Sequence, residues 1–168
     1  QRQMCIRDSS WPMREIVVFS GSAHRDLAEA ICRHLEVPLS PVTISRFTND
    51  CLQVQLNSNC READVFVIQP LVPPVHEHLM ELLQMLDAAR GASASRTTAV
   101  IPYYGYARSD KKDAPRISIA GRLTAGLLVT AGASRALTVA HPEGQSEHSE
   151  APSSRLYQSR GQFVHWSS

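Results

Sequence analysis

Cysteine, net charge, internal repetition and long apolar runs are all scarce in this chain, and each shortage closes off a class of protein. Four cysteines, Cys5, Cys32, Cys51 and Cys60, occur in 168 residues. None forms a CxxC pair, and their spacing matches no metal-binding pattern. With no secretory signal, they read as reduced thiols of a cytoplasmic protein. Seventeen Lys and Arg against 16 Asp and Glu leave a formal net charge of +1. No global field therefore draws the chain to nucleic acid or to a membrane, and any basic function must be local. No apolar run is long enough to span a bilayer.

What is present fits one domain of ordinary size. At 43% hydrophobic, the chain can build a real core. The two ends differ from the middle. Residues 1–12 lack periodicity and are expected to be a non-native or disordered leader. Residues 13–139 carry the domain. The stretch Pro142–Ser154 is polar and rich in Pro, Ser and Glu, so burial cannot offset its ordering entropy. Residues 140–168 are accordingly expected to be an aberrant, disordered tail.

Within the middle, short apolar runs alternate with helical patterns. Strands are predicted at Glu15–Phe19, Val42–Ser45, Cys51–Leu56, Asp64–Gln69, Thr97–Ile101 and Ala136–Val139. The second and third flank a turn at Arg46–Asp50 and read as a hairpin. A first helix places Leu27, Ala30, Ile31, Cys32 and Leu35 on one face. A second opens at Pro73-Pro74 with Leu79, Leu82, Leu83, Met85 and Leu86 as its stripe. A third runs over Ile117–Thr130 with Ile119, Leu123, Leu127 and Leu128 inward. Strands alternating with helices predict an α/β fold with a mostly parallel sheet flanked by helices and a short antiparallel hairpin.

The chemistry concentrates after the fifth strand. Ile101-Pro-Tyr-Tyr-Gly-Tyr-Ala-Arg-Ser-Asp-Lys-Lys112 runs from an apolar strand through an aromatic platform into a charged loop. Open α/β sheets bind phosphorylated ligands beyond the carboxyl ends of their strands. Arg108 can fork onto phosphate oxygens. Lys111 and Lys112 add point charges, and the acids among them suit Mg²⁺ bridging carboxylate and phosphate. Ser20-Gly21-Ser22 could seat an anion at a helix start, although a cap with a tight turn accounts for it better. Arg46-Phe47-Thr48-Asn49 could hold a purine by stacking and edge hydrogen bonds; composition alone reads it as a hairpin tip. His76 and His78 are two apart on a helix and do not share a face, so they read as surface residues. His141 follows the last strand, where it could ligate a metal or move a proton, and an ordinary loop histidine fits as well.

The same stretches resemble the N-terminal half of the ribose-phosphate diphosphokinase (phosphoribosyl pyrophosphate synthetase) family. They are Phe19-Ser-Gly-Ser22, Arg46-Phe-Thr-Asn49, Arg61-Glu-Ala-Asp-Val65, Val67-Ile-Gln69, Leu79-Met-Glu-Leu-Leu83, Ala92-Ser-Ala94, Thr98–Arg108 and Asp110-Lys-Lys112, in the family's order. The resemblance implies a type I phosphoribosyltransferase-like domain. It implies transfer of diphosphate from MgATP to C1 of ribose 5-phosphate, a homo-oligomer, and an ATP site shared between subunits. Carried over by position, Phe47 and Asn49 would contact adenine in a neighbour's site. Arg108 would bind ATP phosphates beside Ser109 and Asp110. Arg61, Lys111 and Lys112 would serve phosphate or effector binding. His141 would be the metal-linked histidine, although it stands one position early. Cys51 and Ser109 replace a glutamate and a glutamine common in the family. The family's ribose 5-phosphate half lies outside these residues, so this chain is expected to be inactive alone. The alternative is a non-catalytic nucleotide-binding regulatory or associated subunit of the same family.

Overall fold

The computed structural model describes residues 15–109, 112 and 114–138, together with the backbone of 155–158 and 163–165. The chain forms β1 (Ile16–Ser20), α1 (Arg25–His34), β2 (Leu39–Ser40), β3 (Val42–Arg46), β4 (Leu52–Leu56), β5 (Asp64–Ile68), α2 (Val75–Gly91), β6 (Arg96–Ile101), α3 (Ala120–Ala131) and β7 (Arg135–Thr138). Two further strands, β8 (Arg155–Gln158) and β9 (Phe163–His165), extend the sheet. The main sheet runs β2-β1-β5-β6-β7-β8-β9, while β3 and β4 form a separate antiparallel pair. Every contact from β2 to β8 is parallel; β9 turns back antiparallel to β8.

Strict two-residue alternation sorts the sheet's side chains onto two faces. Val17, Phe19, Val65, Val67, Ala99 and Ile101 face one way, onto Leu82, Met85, Leu86 and Ala89 of α2 and Leu128 of α3. Val18 and Ile68 face the other way, onto Ala28 and Cys32 of α1, with Phe66 and Val100 packed beside them. Both faces are covered, which is why β5 and β6 read as continuous apolar runs in the sequence. Each fully buried aliphatic or aromatic side chain here contributes roughly 1.5–3 kcal/mol through removal from water.

The strand order reverses at β1. The chain leaves β1 outward to β2 and returns on the other side as β5, so the junction of β1 and β5 is the switch point of the sheet. The hairpin is inserted on this return path. Val42, Val54 and Leu56 pack against the core that α2 covers, and Gln84 of α2 donates to the Leu52 carbonyl (3.1 Å).

Three expectations need correction. The third helix begins at Ala120 rather than Ile117, because Arg116 takes a left-handed backbone (φ 63°) just after Pro115 and interrupts the helical path. Leu123 and Leu127 point outward, 58% and 40% exposed; the inward stripe of α3 is instead the slimmer Thr124, Ala125 and Leu128. Leu35, placed inward by periodicity, is exposed because α1 has ended and Leu35 is its cap. The two-residue strand β2 was not anticipated at all.

Candidate nucleotide site

In an open parallel sheet the switch point is the usual ligand crevice. Here the chain's own side chains fill it. Gly21 follows β1 and donates its N–H to the Ile68 carbonyl at the end of β5 (3.0 Å). Glu81, on the second turn of α2 and only 3% exposed, accepts the Ser22 N–H at 2.5 Å and the Ser22 hydroxyl at 2.7 Å. Gln69 is fully buried; its amide donates to Glu81 (2.9 Å) and accepts the Ala23 N–H (3.2 Å). A Cβ on Gly21 would lie 2.3 Å from the Gln69 oxygen and 2.6 Å from that of Glu81. The N–H groups ahead of α1 that could seat an anion are thus taken by a protein carboxylate and amide. Ser20-Gly21-Ser22 is a tight turn, as expected, but it caps no helix: the Ser20 hydroxyl donates to the Gly21 carbonyl and the Ser22 hydroxyl to Glu81. The cap on α1 comes from His24, whose Nδ1 accepts the Leu27 N–H (3.2 Å).

The loop after β6 is fastened at several points. Leu71 N–H donates to the Tyr103 carbonyl (2.8 Å). The backbone at Gly105 passes so near the Leu71 carbonyl that a Cβ would sit 2.8 Å from its oxygen. Tyr104 donates its hydroxyl to the Gly121 carbonyl (2.8 Å), and burial pushes its pKa up to about 12. The Tyr106 hydroxyl meets His76 Nδ1 at 2.9 Å. Ser109 stands at the start of α3, where its hydroxyl accepts the Ala120 N–H (3.3 Å) and its carbonyl accepts the Gly121 N–H (3.0 Å). The tyrosines therefore divide. Tyr103 is 55% exposed, while Tyr104 and Tyr106 are half-buried braces, their hydroxyls holding the loop.

Arg108 is carried on this braced loop and is exposed. Lys112 is exposed as well. Asp110, Lys111 and His141 lie outside the described residues. Among the described residues no group of three His, Cys, Asp or Glu could hold a metal ion.

The hairpin tip is a second exposed element. Phe47 N–H donates to the Cys51 carbonyl and Asp50 N–H to the Phe47 carbonyl, both 2.9 Å. Asp50 takes a positive φ of 67°, a conformation Asp tolerates better than most residues. Asn49 uses its side-chain oxygen on the Cys51 N–H (3.2 Å), so its amide NH₂ remains available. Phe47 is 54% exposed, unusual for a ring of that size. Arg46, at the base of the tip, pairs with Asp50 (2.5 Å) and with Glu77 of α2. Its hydrogen bonds to Asp50 and Glu77 raise its pKa further, so it stays charged.

Arg61 is elsewhere. It is exposed on the turn entering β5, where its N–H is held by Asn59 (3.1 Å) and Glu62 adopts φ 60°. Since β5 and β6 are parallel, Arg61, just before β5, lies at the opposite end of the sheet from Arg108, in the loop after β6. The two arginines do not form one site within this chain.

Sequence reasoning missed the side chains that organise these loops: Gln69, Glu81, Glu77 and the His76–Tyr106 pair. One signal was legible. Glu81 interrupts the apolar stripe of α2 immediately before Leu82, and an acid at a core-facing position requires buried donors.

A parallel sheet with helices on both faces, a hairpin on the return path and a braced basic loop beyond β6 define a doubly wound α/β domain. Residues 16–132 match the model of the N-terminal domain of ribose phosphate pyrophosphokinase, and the chain belongs to that family. It is 71% identical over 127 residues to a ribose-phosphate pyrophosphokinase-type protein of Streptomyces coelicolor, covering 76% of this chain and 40% of that one. It is 58% identical over 124 residues to the ribose-phosphate pyrophosphokinase of Deinococcus radiodurans, covering 74% and 39%. The crystal structure of phosphoribosylpyrophosphate synthetase from Mycobacterium smegmatis superposes with a TM-score of 0.73 at 40% identity, covering 76% of this chain and 43% of that one. The chain thus spans about two fifths of the length of these relatives.

Proposed function

We propose that this chain is the ATP side of a ribose-phosphate diphosphokinase, which transfers diphosphate from MgATP to C1 of ribose 5-phosphate. The observation that supports this most is the loop after β6. It is pinned by Leu71, Gly121 and His76, yet leaves Arg108 exposed. Rigid backing behind an exposed guanidinium suits a fixed polyphosphate, since transfer between anions needs positioning and charge neutralisation above all. Arg108, with Ser109 and Asp110, is assigned to the phosphates; Arg61, Lys111 and Lys112 are assigned to phosphate or effector binding. Mg²⁺ is assigned to the nucleotide, as MgATP. His141 is not given a role.

Phe47 and Asn49 are assigned to adenine. An exposed ring on a tip that the chain itself leaves uncovered favours use by a second copy, and hence a homo-oligomer with shared sites. The three described cysteines are free thiols, which supports a reducing, cytoplasmic setting.

The test is calorimetric titration of the purified 168-residue chain with MgATP. Binding is expected, with Arg108→Ala weakening it by about tenfold or more, the loss of one charge-assisted contact. No binding by the unaltered chain would refute the reading. Incubation with MgATP and ribose 5-phosphate is expected to yield no phosphoribosyl pyrophosphate, because the chain supplies two fifths of its relatives' length.

That same share, together with the exposed Leu123 and Leu127 on α3, favours a second reading: a nucleotide-binding, non-catalytic subunit that assembles with full-length family members. Co-expression with an intact homologue and size-exclusion chromatography tests it; separate elution would count against it.

A further inference from the structure

The first turn of α2 carries ties to three other segments. Glu77 pairs with Arg46 at the base of the hairpin tip. His76 pairs with Tyr106 of the β6–α3 loop at 2.9 Å. His78 Nδ1 donates to the Val72 carbonyl at 2.8 Å, holding the loop that enters the helix. Adjacent helical residues point about 100° apart, so His76 and Glu77 reach two different loops from one turn.

That turn lacks the usual support. Pro74 stands at the cap position and offers no side-chain hydrogen bond to the free N–H groups. Uncapped first turns fray. Beyond the backbone bond from His78 N–H to the Pro74 carbonyl (3.2 Å) and a long bond from the Gln69 amide to the His78 carbonyl at the turn's inner end (3.4 Å), the polar ties on residues 76–78 are those to Arg46, Tyr106 and Val72. One turn later the helix is anchored by Glu81 and the core residues Leu82, Met85 and Leu86, so fraying is confined to the start. A frayed-or-ordered turn tied at two points transmits between them: losing one tie frays the turn and releases the other.

We propose that the first turn of α2 couples the hairpin tip to the β6–α3 loop, with His76 and Glu77 as positioning residues that order Phe47 and Arg108 together. Calling these two segments nucleotide-facing rests on the reading above; the coupling itself is a property of the chain without nucleotide. If the hairpin serves a neighbouring copy, the turn links one subunit's base contact to its own phosphate loop.

Amide hydrogen exchange on the nucleotide-free 168-residue chain tests this, residue by residue. The Phe47 and Asp50 amides report on the tip, and the Ala107 and Ser109 amides, bonded to Tyr104 and Tyr106 carbonyls at 3.0 Å, report on the loop. Glu77→Ala removes the hairpin tie together with the acid of the helix's first turn, while it raises intrinsic helix propensity. It is expected to speed exchange at Ala107 and Ser109 by about threefold or more, as well as at Phe47 and Asp50. Tyr106→Phe is expected to do the converse, and the double variant to fall short of the product of the two. Val67 and Ala99, in the core strands, should not change. Effects confined to the segment each variant touches, multiplicative effects in the double variant, or a rise that includes Val67 and Ala99 would each overturn the proposal. Absence of MgATP binding would leave this result intact, so the two readings fail separately.

Discussion

Glu81 accepts both the backbone N–H and the hydroxyl of Ser22, at 2.5 and 2.7 Å, from a position almost wholly removed from solvent. A carboxylate so placed closes the crevice between β1 and β5 and ties α2 to the start of α1. Glu81→Ala leaves two donors of Ser22 and one of Gln69 without partners. Ser22 is exposed and its donors can turn to water, whereas the buried Gln69 amide loses Glu81 as its partner; an unsatisfied buried donor costs about 1–3 kcal/mol, and with the lost ties to Ser22 a loss of roughly 2–3 kcal/mol is expected. Urea unfolding would show a lower midpoint at unchanged slope. A loss under about 1 kcal/mol would mean that the network is not a structural latch.

Close backbone approach at Gly105 makes a different prediction. A Cβ there would sit 2.8 Å from the Leu71 carbonyl oxygen, a backbone atom that cannot swing aside. Gly105→Ala is expected to push the β6–α3 loop off the β5–α2 loop at a cost of about 1–3 kcal/mol. It should also weaken MgATP binding, since Arg108 rides on that loop. Gly126→Ala, where nothing lies within 4 Å, is the control and should stabilise slightly by helix propensity.

Tyr104 gives the chain a defined alkaline limit. Burial raises its pKa from 10.0 to about 12. Between those values the unfolded chain releases the proton and the folded chain keeps it, so stability falls as pH rises through that window, by at most about 3 kcal/mol. The thiols of Cys32 and Cys60 are also raised above 9.0, mainly by burial, and act in the same direction from lower pH. Tyr104→Phe is expected to flatten the decline between pH 10 and 12. At neutral pH it should cost about 1 kcal/mol for the lost bond to Gly121. Unfolding midpoints across pH 7–12 measure both; an unchanged slope above pH 10 would exclude Tyr104 as the cause.

The outer face of α3 should tolerate charge. Leu123 and Leu127 are one turn apart and exposed, so Leu123→Glu with Leu127→Glu is expected to shift stability by less than about 0.5 kcal/mol and to reduce self-association in sedimentation velocity. A loss of several kcal/mol would mean that the inward placement suggested by helical periodicity was right after all.

Cysteine accessibility adds an inexpensive check. Cys51 is exposed while Cys32 and Cys60 are buried, so Cys51→Ser is expected to abolish the fast labelling among these three by a thiol reagent, leaving the two others to react only upon unfolding. Fast labelling that persists in the variant at Cys32 or Cys60 would contradict their burial.

Much of this architecture was legible in the chain itself. Val65-Phe-Val-Ile68 and Ala99-Val-Ile101 announce strands buried on both faces, because a covered parallel sheet accepts apolar residues at successive positions. Leu82, Met85 and Leu86 mark the inner face of α2 by period alone. The family was readable too, in the order of short stretches from Phe19 to Lys112. What periodicity could not supply was direction where size and chemistry compete. In α3 the leucines fit a helical stripe, yet Thr124 and Ala125 pack inward, a choice made by the helix's neighbours. Nor could local sequence show that Glu81 meets Ser22 from 59 positions away, that Tyr106 and His76 share a hydrogen bond, or that Arg61 and Arg108 stand at opposite ends of the sheet. The covalent order of residues determined strands, helices, the braced loop's composition and kinship, since these depend on neighbours a few positions apart. Folding alone decided which polar groups meet, because hydrogen bonds between distant segments exist only once parallel strand order and helix packing have brought their ends together.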